Sequence, residues 1–384
     1  MIISRLILKN WRNFSNVDVS LGDRVFILGP NASGKSNLLD AIRFLRDIAK
    51  QPGGGLQSAV KDRGGLSKIR NLSARRDPVV ELGIELLDGQ GTSATTWTYR
   101  IGITQQIRGD RLPILKFEQV YKNNIKMFNR PNTQEEKEDE LLLSQTHLEQ
   151  ISVNKKIREI ADFLKSIRYV HLVPQLLRHP ESFQGTATSD DPFGRNFLES
   201  IAKTPEKTRK SRLNKIGEAL KEAVPKFKDL QYIKDDAGIP HLQVQYEHWR
   251  PQAGLQKEDQ FSDGTLRMIG LFWSLLDGEN PLLLEEPELS LHSEIVKKLP
   301  SLFASVQRKK RRQIFVSTHS AELLSDRGIG AEEILHLTPS DKGTEVSRAS
   351  EIQSIRSEME AGLSAADAVL PRTAPSDLKQ LSLF

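Results

Sequence analysis

Hydrophobic and polar positions alternate in short runs along the first hundred residues, and each run predicts a strand. Ile3 to Leu8 reads as the first, with Ile3, Leu6 and Leu8 facing a core, and Val17 to Leu21 alternates as a half-exposed strand does. Val25 to Leu28 is a continuous apolar run, the pattern of a buried strand. Leu38, Leu39, Ile42 and Leu45 then recur at helical spacing, which predicts a helix to about Ala49, stopped by Gln51-Pro52-Gly53-Gly54-Gly55. Turns are expected at Gly22-Asp23, around Gly64-Gly65 and at Arg75-Arg76-Asp77-Pro78. Val79 to Leu86 and Trp97 to Ile103 read as antiparallel neighbours joined through Asp88-Gly89 and Gly91.

Leu115 to Val120 is one more strand. Val153, Ile157, Ile160, Leu164 and Ile167 predict a helix with one buried face, after which Ile167 to Val173 returns to strand-like character. Arg178 to Gly194 is polar and turn-rich and reads as a mobile connection. Phe197 to Lys203 and Leu213 to Val224 read as helices, the second with Ile216, Leu220 and Val224 on one face. Leu230 to Lys234 and Leu242 to Tyr246 make a hairpin around Gly238. An apolar helical pattern from Leu266 to Leu276 precedes a strand ending at Glu285, and Gln313 to Ser317 and Ile334 to Leu337 are further strands. A short helix through Ile355, Met359 and Leu363, an extended Leu370 to Pro375 and an apolar docking end, Leu381 to Phe384, close the chain. The expected organisation is 1–110, an inserted, mostly helical 111–260, then 261–345 and a tail 346–384. No heptad run is long enough for an extended coiled coil.

Composition narrows the class. The 384 residues contain no cysteine, which excludes disulfides, thiolate catalysis and cysteine-based zinc sites. The formal charge of +5 permits nucleic-acid contact without demanding it. The cations gather at Arg209, Lys210, Arg212, Lys215 and Lys221 and in the tetrad Lys309-Lys310-Arg311-Arg312, each read first as a solvated face and second as a nucleic-acid or partner patch. No apolar stretch approaches a membrane span, and the N-terminus has no secretory features. A cytoplasmic protein is expected.

The chemistry centres on Gly29-Pro30-Asn31-Ala32-Ser33-Gly34-Lys35-Ser36, which fits the phosphate-loop pattern at every fixed position, after a strand and before a helix. The two glycines let the backbone bend and approach a ligand. Successive N–H groups can cradle phosphate oxygens, Lys35 can reach the β and γ phosphates, and the Ser36 hydroxyl can hold magnesium. Paired carboxylates follow the strand at Leu282 to Leu284. Glu285 is the candidate to position the metal, and Glu286 the candidate to deprotonate an attacking water. Ser262 and Gly264 open a helix and can bind phosphate through backbone N–H groups. His319, after the strand at Gln313 to Ser317, can hydrogen-bond the γ phosphate or the water.

In this order the motifs resemble the ABC-type ATPases that include SMC and RecF proteins, closest to the compact RecF-like and OLD-like AAA ATPases. The resemblance covers roughly residues 1–105 and 255–340. Leu6 to Phe14 is similar to the family's opening strand and turn, where Arg12 and Asn13 would contact the nucleotide. Phe261-Ser262-Asp263-Gly264-Thr265 is similar to the signature loop, with Asp263 where the family has glycine. Leu282 to Glu286 resembles Walker B, with Glu285 where aspartate is commoner. Glu286 matches the catalytic glutamate, Glu288 to Ser290 the dimer-contacting loop and His319 the switch histidine. Gln105 and Gln175 are candidates for the glutamine loop.

The resemblance implies an α/β fold: an ABC-type P-loop head with a flanking antiparallel β-subdomain and a helical insertion between Walker A and the signature. It implies ATP and Mg2+ as ligands, with Gly29 to Asn37 (Pro30, Asn31, Ala32, Ser33 and Asn37 included) around the nucleotide and Ser36 and Glu285 at the metal. It implies an ATPase with Lys35, Glu286 and His319 in the reaction, and a homodimer, or higher oligomer, closing head to tail around ATP. Compact relatives serve anti-phage defence beside a nuclease or toxin. No acidic nuclease-like domain follows His319, which favours a separate effector. A RecF-like DNA repair ATPase and an ATP-bound, non-hydrolysing scaffold stand as alternatives.

Overall fold

A computed structural model describes residues 1–74, 77–89, 91, 94–106, 111–179, 193–250 and 254–374. The turn at Arg75-Arg76, most of the Arg178 to Gly194 stretch and the Leu381 to Phe384 end lie outside the described residues. Fifteen strands are present among them: β1 Ile2–Trp11, β2 Phe14–Ser20, β3 Arg24–Leu28, β4 Val80–Asp88, β5 Thr95–Gln105, β6 Pro113–Lys122, β7 Ile125–Arg130, β8 Arg168–Val170, β9 Phe227–Lys234, β10 Pro240–Tyr246, β11 Leu255–Lys257, β12 Leu282–Glu285, β13 Ile314–Ser317, β14 Ile334–Ser340 and β15 Gly343–Arg348. The chain divides into two compact units, one of 1–167, 280–283 and 312–384, the other of 168–279 and 284–311.

The first unit holds two sheets. The antiparallel one runs β2-β1-β4-β5-β6-β7. Its register sets Leu6 opposite Val19 and Ile84, and Ile84 opposite Tyr99, so the alternation seen in sequence becomes one buried face. The other sheet places β3 between β13 and β14, parallel to both, with β15 antiparallel at the edge. All five residues of β3 are buried, as an interior parallel strand requires. The start of β12 joins this sheet: the Leu282 N–H donates to the Gln313 carbonyl at 2.9 Å. Gln313 links the two sheets. Its amide is buried, accepts from the Ile3 N–H at 2.8 Å and donates to the carbonyls of Ile3 and Gly22.

β6 and β7 carry a buried ionic network. Glu118, with no exposed surface, accepts from the Tyr99 hydroxyl, the His147 N–H and Arg130. Arg130 also bonds Glu136 and the carbonyls of Leu142 and Gln145, which fastens the 133–147 segment to the sheet. Burial pushes the Glu118 carboxyl up to about 7 against those donors, and burial together with Arg130 pushes the His147 imidazole down to about 4.

The second unit packs the helices Phe197–Lys203, Glu206–Ala223, Asp263–Leu276 and Leu299–Lys310 with the sheet β11-β10-β9. Its core gathers Leu213, Ile216, Leu220, Leu230, Leu242, Val244 and Trp273. β8 and the end of β12, Leu284-Glu285, are neighbouring strands in this unit.

Three expectations need correcting. Leu370–Thr373 is a 3-10 turn, not extended: Pro371 sits at its start, where a missing N–H is harmless, and Thr373 bonds the Leu370 carbonyl. The helix expected from Val153 begins as a 3-10 turn at Asn154, with the α-helix at Arg158–Ser166 and Val153 exposed. The tetrad Lys309 to Arg312 is not a simple solvated face. Lys310 donates to the carbonyls of Leu276 and Gly278, and Arg312, with no exposed surface, donates from Nε to the Asn280 carbonyl. Both close chain ends that would otherwise leave carbonyls unpaired. No described helix is long and apolar enough to cross a membrane.

Candidate nucleotide-binding site

In the first unit, β3 runs into the glycine-rich loop and the helix Lys35–Ala49 follows it, ending where its apolar spacing predicted. Gly34 has φ 98°, a left-handed conformation that L side chains resist. A Cβ there would lie 2.2 Å from the Asn13 amide nitrogen, and one on Gly29 would lie 2.6 Å from Ser33 Oγ and 2.8 Å from Leu337. Close approach fixes both glycines, and Gly34 is fixed by rotation as well.

Asn13 braces the loop. Its Nδ2 donates to the Ser33 carbonyl at 2.7 Å and to Thr344 Oγ1 at 2.8 Å, and its Oδ1 accepts from Asn37 at 2.8 Å. Trp11, on the same turn, donates to the Asn37 carbonyl. Arg12 points to Asp40 instead, one turn into the helix, with bonds of 3.1 and 2.6 Å. Arg63 forks onto the same carboxylate and onto Asp47. Burial opposes the Asp40 charge, but Arg63 and then Arg12 outweigh it and hold the carboxyl below its usual range.

Lys35 curls over the loop, its Nζ 3.0 Å from the carbonyls of both Gly29 and Pro30. Ser33 Oγ is buried without a hydrogen-bond partner. An ammonium held over the loop and an unpaired Ser33 hydroxyl, with no room for a Cβ at Gly29 or Gly34, fit a phosphate group. Ser36 is the second residue of the helix. His319 follows β13, whose end is tied to β3 through the Thr318 N–H and the Ile27 carbonyl. Gln105 ends β5 and donates to the Arg111 carbonyl.

In the second unit, β12 ends at Glu285, and Glu286 takes a left-handed φ of 43° that turns the chain sharply. Such strain in a non-glycine residue gathers at functional sites. The Tyr169 hydroxyl, on β8, donates to Glu285 Oε2. Nothing in the sequence singled Tyr169 out; its strand neighbours are Arg168 and Val170, and its role depends on which strand lies beside it. Ser262 caps the helix Asp263–Leu276, accepting from the Thr265 N–H at 3.2 Å. A Cβ on Gly264 would lie 2.7 Å from the Ser290 carbonyl, so the signature turn and the Glu288 to Ser290 loop pack closely. Arg267 is half-buried, which lowers its pKa against the attraction of Asp263, Glu286 and Glu288. Gln175 donates to Asp263 at 3.4 Å.

Among the described residues no three His, Cys, Asp or Glu side chains form a metal cage of their own.

Residues 24–325 match the family described as "AAA domain, putative AbiEii toxin, Type IV TA system". The chain belongs to this family. The chain has the fold of SMC head domains. It is 31% identical over 87 residues to the DNA replication and repair protein RecF of Bacillus cytotoxicus, a match of 22% of this chain and 23% of that one. Over 46 residues it is 46% identical to RecF of Proteus mirabilis, 12% of this chain and 13% of that one. The matched stretches thus span about a quarter or less of these relatives. Among solved structures, the SMC head bound to the C-winged helix domain of ScpA aligns with a TM-score of 0.52 at 16% identity, over 90% of this chain and 96% of that one. The Pyrococcus furiosus SMC head with an extended coiled coil aligns with a TM-score of 0.50 at 14% identity, over 93% and 99%. These likenesses are of fold: the α/β head with a P-loop sheet, flanking antiparallel strands and interspersed helices expected from sequence.

Proposed function

We propose that this AAA protein is an ATP-binding and ATP-hydrolysing switch subunit of an anti-phage defence complex. Two copies close head to tail around ATP and control a separate nuclease or toxin. The observation that carries the reading is the phosphate cradle from Gly29 to Ser36 after β3, braced by Asn13 and covered by the Lys35 ammonium. The family's association with a toxin–antitoxin system supports the effector.

In this mechanism Lys35 leaves the Gly29 and Pro30 carbonyls and turns to the phosphate oxygens, where loop N–H groups also donate. Magnesium would neutralise charge on the phosphates, and Ser36 and Glu285 are the oxygen donors that the resemblance assigns to it. Glu286 takes a proton from water as that water attacks the terminal phosphorus, and the bond to ADP oxygen breaks. His319 hydrogen-bonds the departing phosphate. Arg12 faces the nucleotide only after exchanging its Asp40 partner. Ser262 and Gly264 of one copy meet the terminal phosphate held by the other, so nucleotide state sets pairing.

A second reading, a DNA repair ATPase, draws on the RecF similarity and on Lys207, Lys210 and Lys215, which are exposed along the helix Glu206–Ala223. Arg209 and Arg212 do not join that face; they lie over Tyr232 and against Asp277. The discriminating experiment is the mass of the Glu286→Gln complex purified from its own host with ATP and magnesium. A stoichiometric nuclease or toxin in that complex supports the defence reading. A bare dimer that takes up duplex DNA only with ATP supports the repair reading and overturns the first.

A further inference from the structure

Asp263 stands in the turn that, on the reading above, meets a triphosphate. It is the first residue of the helix Asp263–Leu276, directly after the capping Ser262. A carboxylate there is an odd choice, because it would repel the most negative part of the nucleotide. The surroundings account for it. Arg178, from the short helix Pro174–Arg178, donates from Nη2 to Asp263 Oδ1 at 2.8 Å. The same nitrogen donates to the Phe261 carbonyl at 2.7 Å. Gln175, from the same helix, reaches Asp263 Oδ2 at 3.4 Å. Arg267, one turn further along the signature helix, adds a favourable charge to Asp263. The Arg178 side chain is 20% exposed and that of Asp263 38%, so water screens the pair in part.

We infer that Arg178 is a positioning residue for nucleotide-dependent pairing. It neutralises Asp263 and pins the Phe261 carbonyl, so that Ser262 and the helix start present donors, not a net negative charge, to the phosphate of a second copy. Asp263 and Arg178 then form one device: the acid anchors the arginine, and the arginine makes the acid tolerable beside a triphosphate. The inference rests on the pairing reading and goes beyond it by naming what sets the charge of the facing loop.

The test is a cycle in the Glu286→Gln protein, which holds ATP. Self-association with ATP and magnesium is measured by sedimentation for the parent, Arg178→Gln, Asp263→Gly and the double variant, and ATP affinity is measured at concentrations where the protein is monomeric. Arg178→Gln is expected to weaken pairing about tenfold or more, a charge-paired hydrogen bond's usual range, with monomer affinity for ATP unchanged. That deficit shrinks as salt rises, since repulsion is screened. Removing the carboxylate in the double variant restores pairing to within about threefold of Asp263→Gly, the coupling a shared charge requires. A double variant as weak as Arg178→Gln, or a deficit that ignores salt, makes Arg178 a structural brace only and overturns the inference. Pairing in Arg178→Gln equal to the parent overturns it as well while leaving the function reading intact. A parent that fails to pair with ATP overturns both.

Discussion

Gly34→Ala puts a methyl group where the loop, the helix start and Asn13 converge. Two penalties can be separated. The first is backbone: at φ 98° an alanine pays about 1–2 kcal/mol for the left-handed conformation. The second is displacement. The new Cβ would lie 2.2 Å from Asn13 Nδ2 and 2.5 Å from Oδ1, so the amide must leave. It then loses its bonds to the Ser33 carbonyl, Thr344 and Asn37. At about 1 kcal/mol net for each such bond, displacement adds about 3 kcal/mol. The whole comes to about 4–5 kcal/mol. In an Asn13→Ala background the amide is already gone, so only the backbone penalty remains. Trp11 and Trp97, both buried in the same unit, report its urea unfolding by fluorescence. The reasoning holds if Gly34→Ala destabilises the Asn13→Ala protein by about 3 kcal/mol less than it does the wild type. Equal penalties in both backgrounds refute the claim that Asn13 fixes the glycine.

Three other outcomes are expected. Lys35→Ala loses ATP binding by about tenfold or more, the scale of a charge-assisted contact, in a fluorescent-nucleotide titration; wild-type affinity would remove the loop from the site. Tyr169→Phe removes one donor to Glu285 and raises the magnesium concentration needed for tight ATP binding several-fold, with affinity for metal-free ATP unchanged; an unaltered magnesium titration would make Tyr169 a packing residue. Glu118→Gln changes the pH dependence of stability. The folded protein keeps the Glu118 proton up to about pH 7, whereas an ordinary glutamate gives it up near 4.5, so the Glu118 contribution to stability falls as pH rises across that window. His147 works in the opposite sense, its folded pKa of about 4 lying below the ordinary 6.5, so it adds stability as pH rises to 6.5. Removing Glu118 unmasks the rise, and the stability of the variant relative to wild type should climb between pH 4.5 and 7; a constant difference across that range would contradict the raised Glu118 pKa.

Local signals were legible where one element explained them. Leu38, Leu39, Ile42 and Leu45 gave the phosphate-loop helix its end because all four bury against one core. The spacing of the loop glycines predicted a backbone that bends tightly, and both stand where a Cβ has no room. What stayed hidden depends on residues distant in sequence. Arg312 reads as part of a basic run, yet it is buried because the Asn280 carbonyl needs a donor. Tyr169 matters only because β8 lies beside the end of β12. Arg178 opened a stretch read as mobile, and its partner lies 85 residues later. β7 and β15 escaped notice because edge strands with mixed polar faces lack the alternation of a half-buried strand. Arg12 shows a different limit: family likeness assigned it to the nucleotide, while its geometry gives it to Asp40.

The central claim is that Gly29 to Ser36 binds ATP and that Glu286 is the base that consumes it. Single-turnover hydrolysis and nucleotide retention, followed together in the wild type and in Glu286→Gln, test this most directly. The account predicts ATP affinities that agree within about threefold and phosphate release slowed by at least about a hundredfold in the variant, at the low end of what general-base catalysis contributes. Equal phosphate release from the two proteins, or a wild type that binds no ATP, would contradict it.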